Sequence, residues 1–423
     1  MREYINCRMR LYSILDMLGA LLLLAVAFPY VQLIPSNNYT QPYALILGAI
    51  LFLTRTWPVL LSLRLYDLIA LVGLGFVGVA TYLLTCFPYV EEQEYKYLIS
   101  YLTPIFLTIP LLGYLRNNIK LTVAVLRFSI WLWLFVAVVQ KFLDPSFLGF
   151  MIGQWSESTL DIIESGRGVL GLAPEPTHHG FHILLLATCL AMLDASKNSR
   201  RLLFLCAFDA VVLAASSSSV LVLGIATIFW IFIYQRRQVF LLVMLILVVF
   251  GSAEPLASLI DNRIGQLINA VLLDPASILT IDYSMNTRLG GFIAVFYQVF
   301  SNGFIPFGMS IQAWDSARNS LLIDLPWLLD LSLAGPPSGV GVILFQTGLL
   351  GAVLLGLIFK TILSTNVSGL GRILLMGAPL IFLSQYYISA PTFSLLYACA
   401  LYRSRIKIVN YSGAYSARKT IEE

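Results

Sequence analysis

Gly339-Val340-Gly341-Val342-Ile343-Leu344-Phe345-Gln346-Thr347-Gly348-Leu349-Leu350-Gly351-Ala352-Val353-Leu354-Leu355-Gly356-Leu357-Ile358-Phe359 runs without a charged side chain from Ser338 to Lys360. A bilayer core is crossed by about 20 apolar residues in a helix, so this stretch reads as a transmembrane span. It is not alone. Of 423 residues, 59% are hydrophobic and 11% charged, whereas soluble domains run at about 45–50% apolar and about 25% charged. A chain this apolar cannot cover itself with a polar surface, which leaves a polytopic membrane protein. The five cysteines imply no disulfide framework in so long a chain. A net charge of +4 is too small to point to nucleic acid as a partner.

Working outward, the same criterion gives about twelve spans, at roughly 11–34, 41–54, 66–87, 98–114, 121–140, 177–195, 202–216, 219–235, 238–254, 339–359, 372–389 and 391–402. The expected fold is one all-α transmembrane domain over residues 1–423. Its first segment follows Arg2, Arg8 and Arg10 but outruns a signal-peptide core, so it reads as an uncleaved helix.

Placing the N-terminus in the cytoplasm puts Arg55, Arg64, Arg116, Lys120, Lys197, Arg200, Arg201, Arg236, Arg237, Lys360, Arg372, Arg403, Arg405 and Lys407 inside. The outside then receives only Lys96, Lys141, Arg167, Arg263, Arg288 and Arg318, as the positive-inside rule expects. Two large outer loops result, 141–176 and 255–338, and the chemistry is expected there. Within the second, 289–304 suits a helix at the membrane interface, and 256–273 alternates in helical fashion. No internal repeat is apparent, which argues against a transporter built from inverted halves.

The chemically richest stretch is Gly166-Arg167-Gly168-Val169-Leu170-Gly171-Leu172-Ala173-Pro174-Glu175-Pro176-Thr177-His178-His179-Gly180-Phe181-His182, which holds all three histidines of the chain. Pro176 forces Glu175 toward an extended conformation and suits the first helical position. The helix end would then present unpaired N–H groups outward, a natural anion site. Glu175, His178, His179 and His182 fall at i, i+3, i+4 and i+7, on one stripe. Three readings remain open. The stripe is a polar first turn at headgroup level; or His178 and His182 hold a metal with Glu175, although the HExxH glutamate is missing; or Glu175 or His178 is a general base beside Arg167, with His179 and His182 contacting substrate.

A second outer arginine, Arg288, lies in Asn286-Thr287-Arg288-Leu289-Gly290-Gly291. A planar, permanently charged guanidinium suits pyrophosphate oxygens, and two arginines on separate loops can clamp one anion; the alternative for Arg288 is a headgroup or surface contact. Asp209 sits inside a span, where isolated charge is costly, and a partner is expected among the polar residues of the Ser216–Ser219 break.

Arg167 to Gly171, Glu175-Pro176-Thr177 at a span start, the Ser216–Ser219 break, Arg288, and Gly348-Leu349-Leu350-Gly351 in the span after the second loop together resemble the bacterial O-antigen and capsule repeat-unit polymerases of the O-antigen ligase superfamily. The resemblance in layout covers nearly the whole chain. It implies a GT-C-like, metal-independent glycosyltransferase without cofactor, in the bacterial cytoplasmic (inner) membrane with its active site facing the periplasm. Such an enzyme moves a growing glycan from polyprenyl pyrophosphate to the terminal sugar of an incoming lipid-linked repeat unit. Its implied partners are polyprenyl-pyrophosphate-linked oligosaccharide, membrane lipid and a chain-length regulator protein. Two departures stand out. Relatives often carry an arginine in the serine-rich break, and none is present here. The related ligases carry a histidine just before the last large span, where this chain reads Gly335-Pro336-Pro337-Ser338-Gly339. The second departure favours polymerase over ligase; a lipid-linked oligosaccharide transporter is the alternative from another class.

Overall fold

The computed structural model describes residues 2–33, 40–86, 95–152, 168–235, 238–239, 286, 291–301, 313–324, 336 and 338–404. The protein is an all-α, multi-pass membrane protein. Its helices are α1 (Arg2–Ala27), α2 (Tyr43–Leu60), α3 (Leu65–Cys86), α4 (Tyr95–Asn117), α5 (Ile119–Phe142), α6 (Pro176–Leu193), α7 (Lys197–Phe208), α8 (Ser217–Tyr234), α9 (Gly291–Ser301), α10 (Ala313–Asp324), α11 (Gly339–Leu363), α12 (Leu370–Ser384) and α13 (391–404). Among the described residues the only extended pairing is a single antiparallel bridge between Val31 and Ile152.

Five described helical segments are long and apolar enough to cross a membrane: Leu65–Leu84, Leu98–Asn117, Ile119–Phe142, Ser217–Tyr234 and Gly339–Leu363. Three shorter apolar helices, Ile14–Ala27, Tyr43–Thr54 and Leu370–Ser384, accompany them. The expected span at 238–254 and the helical pattern at 256–273 lie outside the described residues, as does most of the loop 255–338.

Two helices form the centre. Residues 181–190 of α6 and 391–401 of α13 are buried on every side, and a helix apolar all round can satisfy itself only inside a bundle. Two of the polar side chains they carry are bonded inside the bundle: Thr188 donates to Leu184 O at 2.7 Å, and Thr392 meets His182 Nδ1 at 3.1 Å. Cys189, Cys206 and Cys399 are buried free thiols. Around this centre α3 packs on α11, α2 on α4, and α12 on both α6 and α8.

Within 289–304 the chain forms the helix α9. Val295 of α9 and Trp314 of α10 form a small cluster with Leu344 and Phe345 of α11, the two aromatic rings meeting edge to face at 5.3 Å. These short helices therefore ride on the first half of α11, which ends where Gly348 leaves helical geometry at φ +63°.

The serine-rich break takes a shape that periodicity did not anticipate. α7 ends at Phe208 and continues as a π-turn over Asp209–Leu213. The chain then reverses at Ala215, whose φ is +44°. Ser216 caps α8 by accepting the Ser219 N–H at 3.2 Å. The break is therefore at 214–216, and Ser217, Ser218 and Ser219 belong to the first turn of α8.

Candidate functional site

The start of α6 follows from its sequence. Glu175 is extended (φ −142°, ψ 151°) ahead of Pro176 at the first helical position, because the proline ring excludes helical geometry from the residue before it. The Glu175 carbonyl accepts the His179 N–H at 3.0 Å, while its carboxylate bonds none of the helix N–H groups.

The histidine stripe divides into two environments. Glu175 and His178 are partly exposed, whereas His179 and His182 are fully buried. His182 Nε2 bonds Ala27 O at 2.9 Å, and because a carbonyl only accepts, that nitrogen carries the proton. His182 Nδ1 then accepts from the hydroxyls of Tyr386 (3.2 Å) and Thr392 (3.1 Å). Tyr30 extends the network by donating to Tyr386 at 3.0 Å, and its ring lies 5.9 Å from that of His178.

His179 points elsewhere. Its Nε2 lies 2.7 Å from Asp209 Oδ2, with both side chains fully buried. The partner of Asp209 is therefore a histidine on the neighbouring helix, and the expectation of a partner within Ser216–Ser219 is corrected. Asp209 is the first residue of the π-turn Asp209–Leu213. The Trp133 ring packs against both histidines, at 5.3 Å from His179 and 4.8 Å from His182.

The segment leading from Arg167 into α6 is fixed at several points. Val169 N donates to Leu213 O of the π-turn at 2.9 Å. Gly168 (φ +105°) lies so close to Ala214 O that a Cβ would come within 2.0 Å of it. Gly171 (φ +59°) lies against the His179 ring, where a Cβ would come within 2.0 Å of Nδ1. Both positions need glycine twice over, for conformation and for space. Gln140 of α5 clamps Gly171 from the other side, donating to its carbonyl at 2.8 Å and accepting its N–H at 2.7 Å.

Of the residues singled out in the sequence, Glu175, His178, His179 and His182 are thus described, and Arg167 and Arg288 lie outside the described residues. Among the described residues no group of three His, Cys, Asp or Glu side chains converges as metal ligands. The sequence reading missed Gln140, Tyr30 and Tyr386, each an unremarkable residue in an apolar run. It also missed Arg127, which lies inside α5 and reaches Asp194 and Ser196 at the far end of α6. An arginine within an apolar run was a legible signal, since such a charge calls for a partner.

No family model matches this chain, and no curated protein matches it. The reading of the site therefore rests on its own residues and geometry.

Proposed function

We propose that this protein polymerises lipid-linked oligosaccharide repeat units, transferring a growing glycan from polyprenyl pyrophosphate to the terminal sugar of an incoming unit. The observation that carries the reading is the division of the stripe at the start of α6. Glu175 and His178 stay partly exposed at the N-terminal end of the helix, where its dipole favours an anion, whereas His179 and His182 are spent on protein partners. A potential base thus sits next to a potential anion site.

In the proposed reaction an acceptor sugar hydroxyl attacks the anomeric carbon of the donor. Its C–O bond to pyrophosphate breaks, and the leaving group departs with the electron pair. Glu175 or His178 takes the hydroxyl proton. Arg167, Arg288 and the α6 N-terminus neutralise the pyrophosphate, which needs positive charge rather than a proton to leave. Enclosed as they are, His179 and His182 serve this site by holding α6 rather than by meeting a sugar.

The proposed orientation places the Glu175 end outside a bacterial cytoplasmic membrane, facing the periplasm, within a GT-C-like bundle of about twelve spans. Its support is the gathering of arginines at the opposite end. There Arg116 donates to Ser62 Oγ at 2.7 Å, Arg372 to Thr365 O at 2.6 Å, and Arg64 to Ser404 O at 3.4 Å. Such a clustering of cation-bearing helix ends is what the positive-inside rule expects of a cytoplasmic face.

The test is the surface-polysaccharide ladder of a strain lacking the gene. A single-repeat band is the expected result. Loss of every repeat would instead indicate a ligase or a transporter and overturn the polymerase reading.

A further inference from the structure

We infer that the buried His179–Asp209 pair is a positioning device that holds the start of α6 in register with segment 168–171, the stretch that follows Arg167. The inference rests on the polymerase reading, in which Arg167 and Glu175 must face one reacting centre from different segments.

The two residues belong to different helical elements, and each also braces that segment. His179 sits one turn into α6, its N–H bonded to Glu175 O, so its position sets that of the Glu175 peptide. Its ring forms the wall against which Gly171 lies. Asp209 opens the π-turn, whose other end accepts Val169 N through Leu213 O and abuts Gly168 through Ala214 O. The 2.7 Å bond between His179 and Asp209 thus closes a loop of contacts: α6, Gly171, Val169, the π-turn, and back to α6. A π-turn is a costly irregularity that recurs at functional sites, and here it delivers one carboxylate to one imidazole.

A pair that met substrate would need an open ring nitrogen. His179 Nδ1 instead lies against Gly171, and both side chains are fully buried. Among the described residues His179 Nδ1 and Asp209 Oδ1 have no hydrogen-bond partner. Burying these groups half-satisfied is costly, and uniqueness of local geometry is a gain that offsets such a cost. The pair is therefore assigned to positioning, and contact with the sugar is left to Glu175 and His178.

The experiment compares Asp209→Asn, Asp209→Ala and Gly171→Ala in purified full-length protein. Asn keeps an oxygen that accepts from Nε2–H, Ala removes it, and the Gly171 variant pushes a methyl group into the His179 ring with both partners intact. Two readouts are taken. The first, amide hydrogen exchange of the peptide covering residues 168–174, needs no activity. The second is kcat and KM for extension of a lipid-linked repeat unit, per mole of folded protein.

Exchange of that peptide should accelerate at least tenfold in Asp209→Ala and Gly171→Ala and stay within threefold of wild type in Asp209→Asn. Turnover should fall about 100-fold in the first two with KM changed less than threefold, since a misplacement of the order of 1 Å costs about that much. Wild-type exchange in Asp209→Ala would overturn the inference, as would equal damage from Asn and Ala. A loss of kcat that vanishes on normalising to folded protein would also overturn it. If Asp209→Ala does not fold, Asp209→Leu, close in size but unable to accept from Nε2–H, decides the same point by the exchange readout. A wild-type protein that extends no lipid-linked unit would sink the polymerase reading alone, and the exchange readout would still decide whether the pair holds the segment.

Discussion

Trp133 and His182 share one acceptor, the carbonyl oxygen of Ala27, at 3.0 Å from the indole nitrogen and 2.9 Å from the imidazole. Ala27 is the last residue of α1, so its carbonyl has no N–H of its own helix to accept. Two donors from α5 and α6 supply what the helix cannot. The site at the start of α6 is thereby tied to the end of α1 and, through Tyr386 and Thr392, to the link after α12 and to α13.

That arrangement makes His182 a structural keystone of the bundle. His182→Phe preserves an aromatic body against Trp133 but loses the bonds to Ala27 O and to the two hydroxyls. At about 0.5–1.5 kcal/mol net for each of the three bonds lost, the expected destabilisation is about 1.5–4.5 kcal/mol. Thermal unfolding in detergent should show a clear drop in midpoint, and an unchanged midpoint would mean that the network is not stabilising.

Gly180 places α6 against α8. A Cβ there would come within 2.4 Å of Ser219 Oγ but stay 3.4 Å from Ser219 Cβ. Gly180→Ala should therefore cost about 1–3 kcal/mol through overpacking. Adding Ser219→Ala removes the clashing oxygen and should restore most of the loss, a coupling that a double-mutant cycle measures directly. Additive effects would mean that the helices move apart rather than clash.

These contacts show what the sequence could and could not reveal. Composition declared the membrane class, and Pro176 declared both the start of α6 and the extended Glu175, because the constraint acts between neighbours in the chain. The pairing of His179 with Asp209 was not legible. It depends on a π-turn and on the packing of one helix against another, and no periodicity encodes either. The nearer polar candidate, Ser216, is used by its own helix as a cap. Only the packing shows Gly168 and Gly171 as places where a side chain would strike Ala214 O and His179. The stripe of four polar residues was right in register, yet periodicity treats all four alike and cannot say which two are enclosed.

The opposite end of α6 carries a titrating contact. Burial alone would raise the Asp194 carboxyl, but bonds from Ser199, Ser196 and Arg127 outweigh it and hold the group below the usual carboxylate range. A carboxyl depressed in the folded state adds stability above its unfolded value of about 3.9, and that stability is lost as pH falls through the folded value. Wild-type protein should lose thermal stability below about pH 4 by more than Asp194→Asn does. Identical acid profiles for the two would show that the contact contributes nothing to folding.

Arg167 and Arg288 lie outside the described residues, so their role is argued from chemistry. If both neutralise pyrophosphate, Arg→Ala at either position should abolish polymer at normal protein level. Lysine should rescue poorly, because an ammonium group keeps the charge but not the two-pronged donor geometry. Full polymer from Arg288→Ala would reduce that residue to a surface charge.

The last prediction separates Glu175 from His178. Both are partly exposed at the start of α6, whereas His179 and His182 are fully buried. Glu175 has the stronger structural claim. Its backbone is fixed by Pro176, and its carboxylate spends none of its acceptor capacity on the helix it precedes. The His178 ring lies between those of Tyr30 at 5.9 Å and Tyr386 at 6.2 Å. Glu175→Gln keeps size and removes the basic oxygen, so it should stop turnover while lipid-linked substrate still binds. His178→Ala should then only slow the reaction. If the roles are reversed, His178→Ala is the dead variant, and Glu175→Gln only slows the reaction. Near-normal polymer from both single variants would show that neither side chain takes the acceptor proton, and the base would then have to be sought on the loops that carry Arg167 and Arg288.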